Sequence, residues 1–141
     1  MIRMATLEDA LEIYNLEMSC FSRNYSLQTI QDDLANDKNA FFLYENESGV
    51  IGYISIYYFL DEANLQKVAV IEKERCKGVA SKLIQHTIEF LKLKGVERYY
   101  LEVNEHNLIA IDVYEKLGFK KISTRKKYYG NDDAIILEMH L

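Results

Sequence analysis

Two stretches of this chain gather residue types that could do chemistry on a phosphorylated ligand. The first runs from Asn64 to Ile84. Its opening part, to Val70, alternates as a buried strand does. Its closing part, from Gly78, places Ala80, Leu83, Ile84, Thr87, Ile88 and Leu91 at helical spacing. Between them lies Arg75-Cys76-Lys77-Gly78-Val79-Ala80, a basic turn with glycine and alanine where the helix begins. A helix start carries unpaired backbone N–H groups and the positive end of a dipole. Small residues there let a bulky anion come close. With Arg75 and Lys77 adding positive charge beside it, this is a candidate phosphate-binding turn on a strand-to-helix junction. The competing reading is an ordinary helix entry with solvated charges. The turn is not a P-loop, because no Gly-Lys-Ser/Thr closes it, and it lacks the glycines of the dinucleotide fingerprint.

The second stretch begins at Glu102, near the end of the strand Tyr99–Val103. Carboxyl ends of strands in α/β sheets are where ligands bind, and a carboxylate there could act as general base, directly or through water. The competing reading pairs Glu102 with a surface lysine. Asn107 then suits the N-cap of a helix whose Ala110, Val113, Tyr114 and Leu117 share one face. By position alone, Tyr114 is a core tyrosine whose hydroxyl reaches the edge.

The elements that must position these residues follow from periodicity and punctuation. Ile2–Met4 is a short extended piece. Thr6, with Asp9 at the capping-box position, opens a helix to about Ser19 whose apolar face is Leu7, Ala10, Leu11, Tyr14 and Met18. Cys20–Tyr25 is a loop, and Ser26 caps a helix from Leu27 to about Ala35 with Ile30 and Leu34 inward. Ala40–Tyr44 and Val50–Phe59 make a hairpin across the polar turn Glu45–Gly49. After the strand ending at Val70, a helix runs from Gly78 to Lys94, with Gly95 as its left-handed stop. Val96–Val103 is a strand, and Leu108–Leu117 a helix stopped by Gly118. Phe119–Tyr128 and Asp133–His140 close the chain as a hairpin about Tyr129–Asp132. The order β-α-α-β-β-β-α-β-α-β-β has no repeat and no linker. It predicts one domain over residues 1–141. The fold class is α/β (α+β), a mixed central sheet of about seven strands with about four helices on both faces.

Composition sets limits on function. At 141 residues, 49% apolar and 28% charged, the chain has enough material for a real core and is not a disordered type. No apolar run approaches the ~18–20 residues of a membrane span, and Met1–Asp9 lacks a signal-peptide apolar segment. Cys20 and Cys76 form no Cys-x-x-Cys and have no histidine nearby. A metal site or disulfide is therefore not expected, and the cytoplasm is. A net charge of -5 argues against direct nucleic-acid binding and is compatible with a cationic partner, an amine or a basic peptide.

Taken together, the two stretches resemble the GNAT N-acetyltransferase superfamily. Arg75-x-x-Gly78-x-Ala80 after a strand is similar to its acetyl-coenzyme A loop, with Ala80 in place of the usual second glycine. Asn107-x-x-Ala110-x-x-x-Tyr114-x-x-x-Gly118-Phe119 is similar to the segment beside the coenzyme thiol. The ending Arg125-Lys126-Lys127-Tyr128-Tyr129, with Asp133-Ala134 and Met139, and the run Asp61–Val70 resemble the RimI branch, the ribosomal-protein-alanine N-terminal acetyltransferases. The similarity spans the chain and is strongest over 61–139. The tyrosine turn is shorter than in many RimI sequences, and Asn24-Tyr25 stands where Pro-Trp is common. Both departures bear on substrate identity rather than on the coenzyme.

The resemblance implies an acyltransferase that uses acetyl-CoA as cosubstrate and no metal. The N-terminal amine of a protein, a small-subunit ribosomal protein in this branch, would attack directly in a ternary complex. Glu102 would be the base, and Tyr114 would give a proton to the departing thiolate. Backbone N–H groups of Val68, Ala69 and Val70 would polarise the thioester carbonyl. Arg75, Lys77, Gly78, Val79, Ala80 and Ser81 would hold the pyrophosphate, with Asn107 also on the coenzyme side. Tyr128 and Tyr129 would close over the first residue of the peptide, unless they are only sheet cover. Tyr57 and Tyr58 are read as structural, and His86, Glu89 and His106 receive no role. A monomer or weak dimer without nucleic-acid or membrane contact is expected. Two other functions fit the pattern: acetylation of a small amine such as a polyamine or antibiotic, and non-catalytic acetyl-CoA binding.

Overall fold

The computed structural model describes residues 1–21 and 25–141. Strand β1 (Ile2–Met4) leads through a 3-10 turn (Leu7–Asp9) into helix α1 (Ala10–Cys20), which α2 (Leu27–Ala35) follows. Strands β2 (Asn39–Asn46), β3 (Gly49–Phe59) and β4 (Glu62–Val70) form an antiparallel meander. A second 3-10 turn (Glu72–Glu74) precedes α3 (Val79–Leu93), β5 (Arg98–Asn104), α4 (Leu108–Leu117), β6 (Lys120–Tyr129) and β7 (Asp132–His140). This is the expected order with element ends slightly shifted; the two short 3-10 turns were not anticipated. Of the loop expected over Cys20–Tyr25, Cys20 instead closes α1, and residues 22–24, Asn24 among them, lie outside the described residues. Among the described residues no helix is long and apolar enough to cross a membrane.

The strands make one seven-stranded mixed sheet in the order β1-β2-β3-β4-β5-β7-β6. Strand alternation sends Ala40 and Phe42 to one face and Phe41 and Leu43 to the other. On the first face α3 buries Leu83, Ile84 and Leu91, and α4 adds Tyr114. On the second, α1 and α2 bury Ala10, Ile13, Leu16 and Ile30 against Phe41, Leu43 and Tyr53. Each such aliphatic side chain taken fully from water contributes about 1.5–3 kcal/mol.

Helix α1 corrects the sequence reading. Of the expected apolar face Ala10 is buried and Tyr14 packs against the core, but Leu7, Leu11 and Met18 are 56%, 59% and 54% exposed, and Ile13, Leu16 and Glu17 face inward in their place. The helix carries two apolar stripes, so periodicity alone could not choose between them. The choice is made by the sheet, where Phe41, Leu43 and Tyr53 offer the apolar seat and Lys67 on β4 offers a partner for Glu17.

What matters for a site is how β4 and β5 part. They pair in parallel only at Glu62–Arg98, Ala63–Tyr99 and Asn64–Tyr100. Just beyond, Lys67 pairs with Ser55 and Leu65 with Ile56, which leaves Gln66 as an extra, bulged residue in β4. A bulge bends its strand and sharpens the twist. The second half of β4 therefore stays with β3 while β5 stays with β7, and a gap opens between them.

Candidate active site

Two clefts border this gap, one from each face of the sheet. The first, of about 400 Å³, lies between the end of β4, the start of α3 and α4. Its walls include Val68, Val70, Arg75, Gly78, Asn107 and Tyr114. Gly78 is the N-cap of α3 at φ +82°, a left-handed conformation that costs any other residue energy. No side chain caps this helix. The first-turn N–H groups of Val79, Ala80 and Ser81 therefore have no acceptor within the helix and point outward at its positive end. A Cβ on Gly78 would meet nothing within 4 Å, so the space beside it is open.

The remaining expected coenzyme residues divide. Arg75 lines the cleft, and its Nε donates to the Val70 carbonyl at 2.9 Å, which fastens the turn to the end of β4. Asn107 lines it too, and its Oδ1 accepts from the Ala110 N–H at 3.3 Å as an N-cap should. The Lys77 ammonium is paired with Glu74, 3.3 Å distant, and Glu74 itself lines the cleft. Ala69 is buried on the opposite face, among the α1 and α2 residues. The Ile71 N–H donates to Ile51 at 2.9 Å, and alternation along the antiparallel ladder then gives the Ala69 amide to β3. The Val68 and Val70 amides face the gap instead. Of the three amides expected to polarise a carbonyl, these two have the right direction.

Tyr114 reaches the first cleft from the core. It is 9% exposed and packs edge-on against Phe119, with 6.2 Å between ring centroids. Burial, and then the neighbouring Tyr129 phenol, push its ionisation above the ordinary tyrosine range. Tyr114 is therefore a hydrogen-bond donor at neutral pH.

The second cleft, about 280 Å³, opens on the other face and is lined by Glu102, Tyr128, Tyr129, Tyr25, Leu65 and neighbouring residues. Strand alternation puts Glu102 there: Tyr99, Leu101 and Val103 are buried in the core, so the residue between the last two faces away from it. Arg125 on β6 donates from Nη1 to Glu102 Oε1 at 2.6 Å. The expected surface pairing of Glu102 thus exists, with an arginine rather than a lysine, and inside the cleft region. The Arg125 guanidinium also stacks on Tyr128 at 4.2 Å, and Tyr128 and Tyr129 meet edge to face at 5.0 Å. Burial first, then Glu102 and Tyr128, raise the ionisation of Tyr129, with Arg125 opposing. Tyr129 is thereby the electrostatic neighbour of both Tyr114 and Glu102.

His106, given no role from sequence, lies 3.4 Å from Asp132 Oδ1, while Glu105 Oε2 accepts from the Asp133 N–H at 2.7 Å. These contacts tie the loop before α4 to the hairpin that carries the tyrosines. Tyr25 and Arg125 were not picked out as site residues. Arg125 stands in the basic run just ahead of the tyrosines, and the signal for Tyr25 in the sequence is its place in the unusual Asn24-Tyr25 pair before α2.

Comparison with known proteins gives the family. The model of the acetyltransferase (GNAT) family matches residues 10–119. The [ribosomal protein bS18]-alanine N-acetyltransferase of Haemophilus ducreyi is 29% identical over 149 residues, with 100% of both chains covered. The N-alpha-acetyltransferase of Sulfurisphaera tokodaii is 29% identical over 150 residues, spanning 96% of this chain and 90% of that one. The crystal structure of the ribosomal-protein-S18-alanine N-acetyltransferase from Escherichia coli superposes with a TM-score of 0.91 at 27% identity, over 99% of this chain and 92% of the other. The chain belongs to the GNAT acetyltransferase family, and the mixed seven-stranded sheet is that family's fold.

Proposed function

We propose that residues 1–141 act as one catalytic domain in the cytoplasm that transfers acetyl from acetyl-CoA to the N-terminal amine of a protein, in the first instance a small-subunit ribosomal protein. The observation that carries this reading is a pair of clefts bordering the β4–β5 gap from opposite faces, with Tyr114 in one and Glu102 in the other. A ternary complex needs two entrances to one point. The similarity to N-terminal acetyltransferases along the whole chain supports the choice of amine.

The first cleft fits acetyl-CoA by the chemistry of its donors: unpaired amides at the α3 start, the Arg75 cation, and an apolar wall of Val68, Val70 and Ala110. Bound there, the cosubstrate supplies an activated acetyl thioester. The Val68 and Val70 amides polarise the carbonyl, because they point into the gap without a ladder partner. Glu102 takes the proton of the attacking amine, through a water. Tyr114 hydrogen-bonds the departing sulfur as charge develops on it. Tyr128 and Tyr129 cover the first residue of the peptide.

An α-amino group, with a reference pKa of ~7.7–8.0, needs little help to lose its proton. A lysine near ~10.4 is over two units harder, about 3 kcal/mol. A single carboxylate already engaged by Arg125 suits the easier task. Incubation with acetyl-CoA and a panel of tetrapeptides, among them one starting Ala-Arg, tests the proposal by mass spectrometry of the N-terminus. Acetylation of free polyamines with all peptides left unmodified would overturn it.

A further inference from the structure

Glu17 on α1 is fully buried, and the reaction as described makes no use of it. The Lys67 ammonium donates to both of its carboxylate oxygens, at 2.9 and 2.8 Å. The Tyr53 hydroxyl donates to Oε1, and the backbone N–H of Tyr25 donates to Oε2 at 3.3 Å. The same ammonium lies over the Tyr25 ring at 3.9 Å and the Phe21 ring at 4.5 Å. One ion pair therefore holds Tyr25 twice, by its backbone and by its ring.

Tyr25 belongs to no helix or strand, so no ladder sets the position of its side chain. Yet it walls the Glu102 cleft together with Tyr128 and Tyr129. The Tyr128 phenol lies near enough to help raise the ionisation of Tyr25, after burial, Glu17 and Asp33. Lys67 itself follows the bulged Gln66, another residue of that wall. A buried ion pair gives up much of its attraction to desolvation and is a poor device for stability alone. It does fix geometry, because both charges must stay together.

We propose that Glu17 and Lys67 are positioning residues that hold Tyr25 as the cleft wall opposite Tyr128 and so set the affinity for the acceptor peptide. The proposal rests on the reading that this cleft admits a peptide N-terminus. Three tyrosines line it, and holding Tyr25 in place fixes the shape of the wall that the first residue of the peptide meets.

Steady-state kinetics with acetyl-CoA and a short peptide starting Ala-Arg test this. Tyr25→Ala raises the peptide KM about tenfold, with kcat and the acetyl-CoA KM within about twofold of wild type. The paired change Glu17→Gln with Lys67→Met removes both charges, keeps an acceptor for Tyr53, and raises the peptide KM by a similar factor. Adding Tyr25→Ala to that pair produces no further rise, since coupled residues are not additive. Independent effects that multiply in the triple variant would overturn the proposal, because a merely structural pair would not act through Tyr25. If the paired variant does not fold, Tyr25→Leu decides alone. It keeps bulk but loses the ring face over Lys67, and an unmoved peptide KM sinks the idea. Wild-type protein that acetylates no peptide overturns both readings together; acetylation with unmoved KM overturns this one alone.

Discussion

Glu102 and Tyr114 approach the gap from opposite faces of the sheet, which assigns them different partners. Glu102 is fixed by Arg125, and Tyr114 by burial against Phe119. Replacing Glu102 by Gln keeps an oxygen for Arg125 and removes the site that receives a proton. Turnover near neutral pH is expected to fall about 10²-fold. The deficit narrows as pH rises past ~8, where an α-amine loses its proton unaided. Paired pH–rate profiles check this, and a constant ratio across the range would strip Glu102 of the role. Tyr114→Phe removes a phenol that burial keeps protonated. It should lower kcat by about 10- to 100-fold with little change in acetyl-CoA affinity measured by calorimetry. Unchanged turnover would show that the sulfur leaves without it. Both residues stand out in the sequence as candidates, Glu102 from its place near the end of a strand and Tyr114 from a long spaced motif. Arg125 as the partner of Glu102 was not legible, because it comes from across β7, and no local pattern states which strands become neighbours.

At the scale of elements, what is local was readable and what depends on a neighbour was not. Ser26 and Asn107 cap their helices with side-chain oxygens, and Gly118 ends α4 at φ +111°. Each is decided within a few residues. The inward face of α1 and the bulge at Gln66 are decided by the sheet, and periodicity missed both. The start of α1 combines the two kinds of information. Asp9 accepts from the Thr6 N–H at 2.8 Å, as the capping box predicted, and also binds Arg3 of β1 at 2.8 and 2.9 Å. The Arg3 hydrogen bonds, foremost, hold the Asp9 carboxyl below its usual range. A lowered folded pKa means stability that is present above the unfolded value of ~3.9 and lost as pH falls through the folded one. Asp9→Asn should therefore cost about 1 kcal/mol at neutral pH. In urea unfolding, the difference from wild type should vanish at pH values below the folded pKa. A difference that persists in acid would mean that the charge of Asp9 is not what ties β1 to α1.

For the molecule as a whole, the gap between β4 and β5 is the feature on which the proposed function depends, and the β4–β5 pairing is, like β1–β2, just three residue pairs long. Among the described residues, three parallel ladder pairs join the β1–β4 part to the β5–β7 part, with the Glu97 and Arg98 N–H groups donating to the Asp61 carbonyl beside them, and residues of both parts share one core, among them Ile54, Leu83, Tyr99 and Leu137. Element order, and hence the mixed sheet, could be read from the chain because each helix announced itself by spacing. The opening could not, because it arises from a register shift between β3 and β4. A shared core should give one cooperative thermal transition without ligand. Acetyl-CoA seated in the first cleft would touch β4, the start of α3 and α4 at once, and so would brace both parts. At about a hundredfold excess over its Kd it should add about 2.7 kcal/mol of stability, read as a rise in Tm with the transition still single. Hydrogen exchange should slow most at Val68, Val70 and Val79–Ser81, the amides left without partners by the gap and by the uncapped helix. A rise in Tm with those amides unprotected would mean that the ligand binds elsewhere, and the roles given to the β4 edge and the α3 turn would fall with it.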